Sequence, residues 1–155
     1  MQSVRPARRL IDRIKRRLER LGIRMRRLNE TERLGRMGES AACDHLRRAG
    51  YLILGRNLRV PMGEADILAA APDRRTVVLV EVKSRVVAPD RSELQRQTEA
   101  AVNNDKRQTL RAILRHLSRH NRWQRLPRRI DVIAIDYSPA HEVLELRHHE
   151  ACVSV

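Results

Sequence analysis

Aromatic side chains are almost missing: Tyr51, Trp123 and Tyr137 are the only three in 155 residues, and there is no phenylalanine. Binders of single-stranded nucleic acid usually stack bases on aromatic platforms, and this chain offers few such platforms. Cysteine is nearly absent too. Cys43 and Cys152 stand far apart in no metal-ligand spacing, which argues against a disulfide framework and for buried thiols in a reducing cytoplasm. No apolar run approaches the ~18 residues of a membrane span. The arginine-studded N-terminus lacks the apolar block of a signal peptide, so a cytoplasmic protein without a membrane span is expected. There is no HExxH pair among the six histidines, no G-x-S-x-G elbow and no phosphate-cradling glycine loop, which leaves no case for a zincin, a serine hydrolase or an NTPase.

What the chain has in excess is positive charge. Its net charge is +14 and its pI about 11.4, which points to a polyanionic partner. Residues 1–28 hold eleven Lys/Arg against Asp12 and Glu19, and residues 106–129 hold nine Lys/Arg and no acid. Two basic segments therefore flank a mildly acidic centre. With so few aromatics, double-stranded or branched DNA gripped through its phosphates is the better expectation, although basic segments admit RNA equally well. Arg107, Arg111, Arg115, Arg128 and Arg129 are candidate phosphate contacts, as is Arg85; the alternative is a solvated helix flank.

Length suggests one domain, divided into an Arg-rich extension (1–28) and a folded part (29–155). In the extension, Ile11, Ile14, Leu18, Leu21, Met25 and Leu28 recur in steps of three and four, as in a short coiled-coil seam. It reads as a DNA-gripping arm, a membrane-surface helix, or an upstream extension from a misplaced start. Asn29 and Glu32 form a capping box, opening a helix whose inner side carries Leu34, Met37, Ala41, His45, Leu46 and Ala49 and which stops at Gly50. Strands are expected over 51–57, 64–70 and 76–83, with Pro72-Asp73-Arg74-Arg75 as a turn. A long helix over 92–119, weakened at Asn103-Asn104, precedes strands over 130–136 and 143–148. This order predicts an α/β fold with a mixed β-sheet flanked by helices, αβββαβ with a further strand after it.

The chemistry concentrates in the 64–83 hairpin. Its midpoint falls between Asp73 and Arg74, so symmetric pairing sets Asp66 opposite Glu81 and Glu64 opposite Lys83, all four on one face. Opposed carboxylates repel, and a bound Mg2+ or Mn2+ reverses the sign of that interaction. Such an ion polarises a phosphodiester and activates water, and a lysine beside it stabilises developing charge. Solvated charges on an open sheet face are the plain alternative. Two details weigh against it. The strand Val77-Val78-Leu79-Val80-Glu81-Val82 is apolar on both faces, as in a central strand, where acids are costly unless paired or metal-bound. And only Lys15, Lys83 and Lys106 are lysines among 33 basic residues, so lysine at 83 runs against a strong arginine bias. Lys106, on the apolar line of its helix, reads either as a snorkelling side chain or as an accessory phosphate contact.

Several separated motifs occur in an order that resembles one family. They are Gly38-Glu39, Gly50-Tyr51, Asn57, Gly63-Glu64-Ala65-Asp66-Ile67, Val80-Glu81-Val82-Lys83-Ser84-Arg85, Ala100-Ala101-Val102, Lys106 and Ile130-Asp131-Val132-Ile133-Ala134. Together, over roughly 31–150, they resemble the bacterial YraN family, grouped with archaeal Holliday-junction resolvases and the restriction-endonuclease-like, PD-(D/E)XK fold. The resemblance implies that Asp66 and Glu81 are metal-binding acids, that Lys83 is the motif lysine, and that Glu39 is a helix carboxylate joining the metal site. Glu64 falls in the same run with no role assigned. Alanine at 65 replaces the bulkier aliphatic usual there, and residues 1–28 lie outside the resemblance.

Two functions remain in view. One is a Mg2+- or Mn2+-dependent endonuclease acting on DNA, with branched or junction structures as candidate substrates. The other is a non-catalytic nucleic-acid-binding protein on the same fold. A junction offers two symmetric cuts, so the enzyme reading carries with it a homodimer, to which residues 11–28 offer a seam.

Overall fold

The computed structural model describes residues 33–87, 103–121 and 123–153. The extension 1–28, the Asn29/Glu32 capping box, residues 92–102 of the expected long helix, Arg122 and the side chain of Cys152 lie outside the described residues. The elements are α1 (Arg33–Arg48), β1 (Leu52–Val60), β2 (Gly63–Ala70), β3 (Val77–Val86), α2 (Asn104–Asn121), β4 (Arg128–Tyr137) and β5 (Val143–Val153). The strands form one mixed sheet in sequence order, with β3 and β4 parallel and every other neighbouring pair antiparallel. A parallel pair needs a crossover connection, and α2 lies on it.

Strand β3 is central because both its faces are apolar. Val77 and Leu79 pack on the α2 side, with Leu110, Ile113, Leu114 and Leu117 of the helix and Leu68, Ile130 and Val132 of neighbouring strands. Val78 and Val80 pack on the α1 side, with Ala42, Cys43, Leu46, Ile67, Ile133 and Ile135. Each fully buried Leu or Ile in these layers contributes roughly 1.5–3 kcal/mol. The turn between β2 and β3 is built as its residues demand. One Asp73 oxygen accepts the amides of Arg75 (2.8 Å) and Thr76 (2.9 Å), and the other accepts the Thr76 hydroxyl at 2.7 Å.

Two glycines set how closely the helices approach the sheet. A Cβ at Gly38 would fall 1.7 Å from Ser84 Oγ, so only glycine lets α1 lie against β3 there. A Cβ at Gly63, where φ is +141°, would fall 2.8 Å from Thr109 Cγ2 of α2. Both contacts bear on the site, because Glu39 follows Gly38 and Lys106 stands one turn before Thr109.

The elements differ from expectation at their ends. β1 continues past Asn57 to Val60 and turns at Pro61-Met62. Asn57 has the composition of a strand end, yet it takes a single left-handed conformation (φ 49°) and pairing resumes at Leu58↔Ala65. β5 runs on to Val153 through another such residue, Ala151 (φ 52°). Ala49 is exposed rather than inward-facing, because α1 ends at Arg48. No helix among the described residues is long and apolar enough to cross a membrane.

Candidate metal centre

The paired ladder of β2 and β3 runs from Ala70↔Val77 to Ile67↔Val80. Asp66 and Glu81 are the next pair in that register, and the ladder ends just before them. In place of a backbone partner, the Val82 amide donates to Asp66 Oδ2 at 2.7 Å. The two carboxylates thus stand where regular pairing gives way, at a junction formed by β2, β3 and α2.

Glu81 is 4% exposed and is met by two ammonium groups. Lys83 Nζ lies 3.0 Å from Oε1 and Lys106 Nζ 2.9 Å from Oε2. Lys83 reaches Glu81 because it lies two residues along the same strand. Lys106 arrives from α2, and its ammonium also donates to the Glu64 carbonyl at 3.3 Å. The Lys106–Glu81 contact is ionic without hydrogen-bond geometry, since Glu81 Oε2 is buried and has no hydrogen-bond partner. Burial first, and the charge of Glu81 second, push the Asp66 carboxyl up to about 7; the Val82 amide and Lys106 oppose this, and Glu39 adds to it.

Glu39 is therefore near enough for its charge to act on Asp66. Arg56 Nη2 lies 3.8 Å from its Oε2, and that oxygen is buried without a hydrogen-bond partner. Glu64 is placed differently: its carboxylate pairs across the hairpin with Arg59 at 2.7 Å, on the exposed surface. The structure brings Asp66, Glu81, Lys83 and Lys106 together, with Glu39 alongside, and contributes only the backbone carbonyl of Glu64.

The donor chemistry fits a hard divalent cation. Among the described residues no group of three His, Cys, Asp or Glu side chains is drawn together so as to hold a metal ion. Mg2+ and Mn2+ do not require such a cage: Mg2+ keeps several waters and is commonly bound through one or two carboxylates plus substrate phosphate. Asp66 and Glu81 supply that number, and buried carboxylate oxygens on Glu81 and Glu39 have no hydrogen bond to give up.

The raised Asp66 value has a consequence for stability. Between the unfolded value near 3.8 and the folded value near 7 the native state holds more protons than the unfolded chain, so stability falls as pH rises through that window. Without divalent ions, Asp66→Asn is expected to unfold at higher urea than the wild type at pH 8. That difference should shrink as pH falls and vanish below about pH 3, where the wild-type carboxyl is protonated in both states. Equal midpoints at pH 8 would refute the raised value.

The candidate phosphate contacts divide into two groups. Arg85 gives Nε and Nη2 to Asp136 at 2.6 and 3.2 Å, and Arg129 is held by Asp131, Glu150 and Tyr51. Arg107, Arg111 and Arg115 follow one another at four-residue steps along α2, with Arg115 exposed. Arg128 opens β4 in a half-buried position. The role of Lys106 beside Glu81 was only partly legible; the available signal was its rarity, since it shares with Lys83 the departure from the arginine bias.

A model of the uncharacterised protein family UPF0102 matches residues 38–135, a stretch that contains every carboxylate and lysine of the site. A UPF0102 protein of Syntrophus aciditrophicus is 36% identical over 120 residues, covering 77% of this chain and 89% of that protein. Another, from Syntrophotalea carbinolica, is 44% identical over 103 residues, covering 66% and 77%. A third, from Pelobacter propionicus, is 45% identical over 101 residues, covering 65% and 69%.

Proposed function

The chain belongs to the UPF0102 (YraN) family, and on that premise we propose that it is a Mg2+- or Mn2+-dependent endonuclease acting on double-stranded or branched DNA. The observation that carries this reading is the Asp66–Glu81 pair at the end of the β2–β3 ladder, with two ammonium groups within 3.0 Å of Glu81. Asp66 and Glu81 hold the metal, and Glu39 is the reserve carboxylate from α1. When bound, the ion polarises the phosphodiester and lowers the pKa of the attacking water. In the hydrolysis, a water oxygen forms a bond to phosphorus, the bond to one ester oxygen breaks, and that oxygen leaves with a proton.

The protein's own groups set the conditions for that exchange. Lys83, held by Glu81, presents an ammonium to the charge that grows on the phosphate oxygens. Asp66 must give up its proton before it can bind a cation, so metal uptake strengthens as pH rises through about 7. Arg107, Arg111 and Arg115 track backbone phosphates along α2 without reading sequence, and Arg128 adds to them. Arg85 and Arg129 assist only to the extent that their carboxylate partners release them. Symmetric cutting of a junction calls for a homodimer.

A second reading, DNA binding without turnover, is favoured by one observation: both Glu81 oxygens already face an internal cation. The deciding experiment incubates the full chain with labelled four-way junction, flap, linear duplex and single-stranded DNA, in Mn2+, Mg2+ or EDTA. Cleavage in the presence of either ion and none in EDTA is the expected result, and the panel shows which DNA shape is preferred. Binding of these DNAs without cleavage in either ion would replace the enzyme with the binding protein.

A further inference from the structure

The two ammonium groups on Glu81 are not equivalent. Lys83 belongs to the same strand, and its side chain is 42% exposed. Lys106 comes from another element, its side chain is 29% exposed, and its hydrogen bond goes to the Glu64 carbonyl rather than to Glu81. Its ammonium nonetheless lies 2.9 Å from Glu81 Oε2, an oxygen buried without a hydrogen-bond partner. A cation is therefore placed beside a carboxylate oxygen whose hydrogen-bonding capacity is unused. The close contact of Gly63 with Thr109 fixes α2 at the height that puts it there.

We propose that Lys106 is a built-in stand-in for the divalent cation, neutralising Glu81 while the metal is away and yielding that oxygen when the metal binds. This rests on the reading of Asp66 and Glu81 as a metal site. Two adjacent carboxylates in a poorly solvated place repel each other. The Lys106 ammonium, 2.9 Å from Glu81 Oε2, offsets that repulsion while no metal is bound. An ammonium and a divalent cation cannot occupy the same side of one oxygen, so the two compete. Lys106 leaves at little cost because the Glu64 carbonyl already accepts a hydrogen bond from its ammonium. Once displaced, the ammonium remains at the rim of the site as a second cation for the phosphodiester, complementing Lys83.

Competition and structural support predict opposite signs, which makes the test decisive. Mn2+ affinity of the full chain, without DNA, is measured from the electron paramagnetic resonance signal of free Mn2+ at fixed pH and ionic strength. Lys106→Met removes the competitor and is expected to bind Mn2+ about three- to fivefold more tightly than the wild type. Lys106→Arg keeps a cation and should stay within about twofold of the wild type. If Lys106 only supported the fold, its loss would loosen α2, spread the carboxylates and weaken Mn2+ binding. Equal or weaker binding by Lys106→Met, with clear binding by the wild type, overturns the stand-in role and leaves the metal site intact. No Mn2+ binding by either protein overturns both. Should Lys106→Met fail to fold, Lys106→Gln, which keeps a hydrogen-bond donor without the charge, gives the same comparison.

Discussion

Lys83→Ala is expected to lower metal-dependent DNA cleavage by about two to three orders of magnitude while leaving DNA affinity within about threefold of the wild type. The size follows from the loss of one preorganised donor aimed at transition-state charge. Retained affinity follows from where binding energy resides: phosphate contacts are spread over many arginines, and one lysine among 33 basic residues contributes a small share. The fold should survive as well. Lys83 is 42% exposed, and an ion pair so open to solvent is worth less than about 1 kcal/mol. Lys83→Arg is not expected to restore cleavage, because a planar guanidinium cannot occupy the place of a compact ammonium 3.0 Å from Glu81. Single-turnover cleavage of the preferred DNA, paired with a binding titration in Ca2+, separates the two effects. Wild-type rates from Lys83→Ala would remove Lys83 from the chemistry. A parallel loss of binding would make it a DNA contact.

The largest stability change is expected away from the site. Asp131→Ala should destabilise the protein by about 3–5 kcal/mol, the cost of leaving the partners of a buried charge unpaired. Asp131 is 0% exposed and both its oxygens are in use. Oδ1 accepts the Ala151 amide at 2.9 Å and lies 3.0 Å from Arg129 Nε. Oδ2 accepts Arg129 Nε at 3.2 Å and pairs with His148 Nε2 at 3.0 Å. From there the network reaches both flanking elements. His148 Nδ1 lies 3.3 Å from His45 Nε2 on α1, and Arg129 also holds Glu150 at 3.1 Å and the Tyr51 hydroxyl. Removing the carboxylate leaves His148 Nε2 and the Ala151 amide without their acceptor and takes from Arg129 the partner of its Nε, leaving it Glu150 and Tyr51. Asp131→Asn keeps one acceptor and the shape, and should lose less. Urea unfolding at pH 7.5 gives both values. A loss below about 1 kcal/mol for Asp131→Ala would show that water or rearranged side chains satisfy these donors.

The same network changes how two sequence features are read. Asp131 lies in the Ile130–Ala134 run that carried part of the family resemblance, but it does not face the candidate metal centre. It is paired with Val80, one position before Glu81, and alternates with Val132, which packs on the α2 side. Its neighbour Arg129 stands in a basic segment and invites a DNA-binding role, yet its guanidinium closes the α1 side of the sheet. Charge counting along a chain cannot distinguish an arginine that faces solvent from one that neutralises a buried acid, because the acid is brought near only by strand pairing.

Much of the architecture was written locally. The Asp73 turn, the apolar alternation on either side of it and the doubly apolar β3 are short-range features, set by backbone hydrogen bonding and side-chain period. From them follow the β2–β3 register, the opposition of Asp66 and Glu81 and the nearness of Lys83. The single-face arrangement of four charges proved too regular. Glu64 turned to Arg59, and Asp66 turned its carboxylate to the Val82 amide where the ladder stops. Pattern reasoning assumes that an ideal pleat continues, whereas two facing carboxylates and the left-handed Asn57 lie where it breaks.

By itself, then, the sequence determined the element types, the central strand, the register that opposes two acids, and the excess of positive charge. Those depend on neighbours within a few residues or on plain counting. Tertiary structure decided which cations reach the acids. Lys106 meets Glu81 across 25 positions of chain because Gly63 admits Thr109 of α2 against β2, and Glu39 comes within electrostatic reach because Gly38 admits α1 against β3. Such contacts depend on how closely two packed elements approach, and that distance is set by side-chain volumes on both surfaces at once, which no local pattern contains.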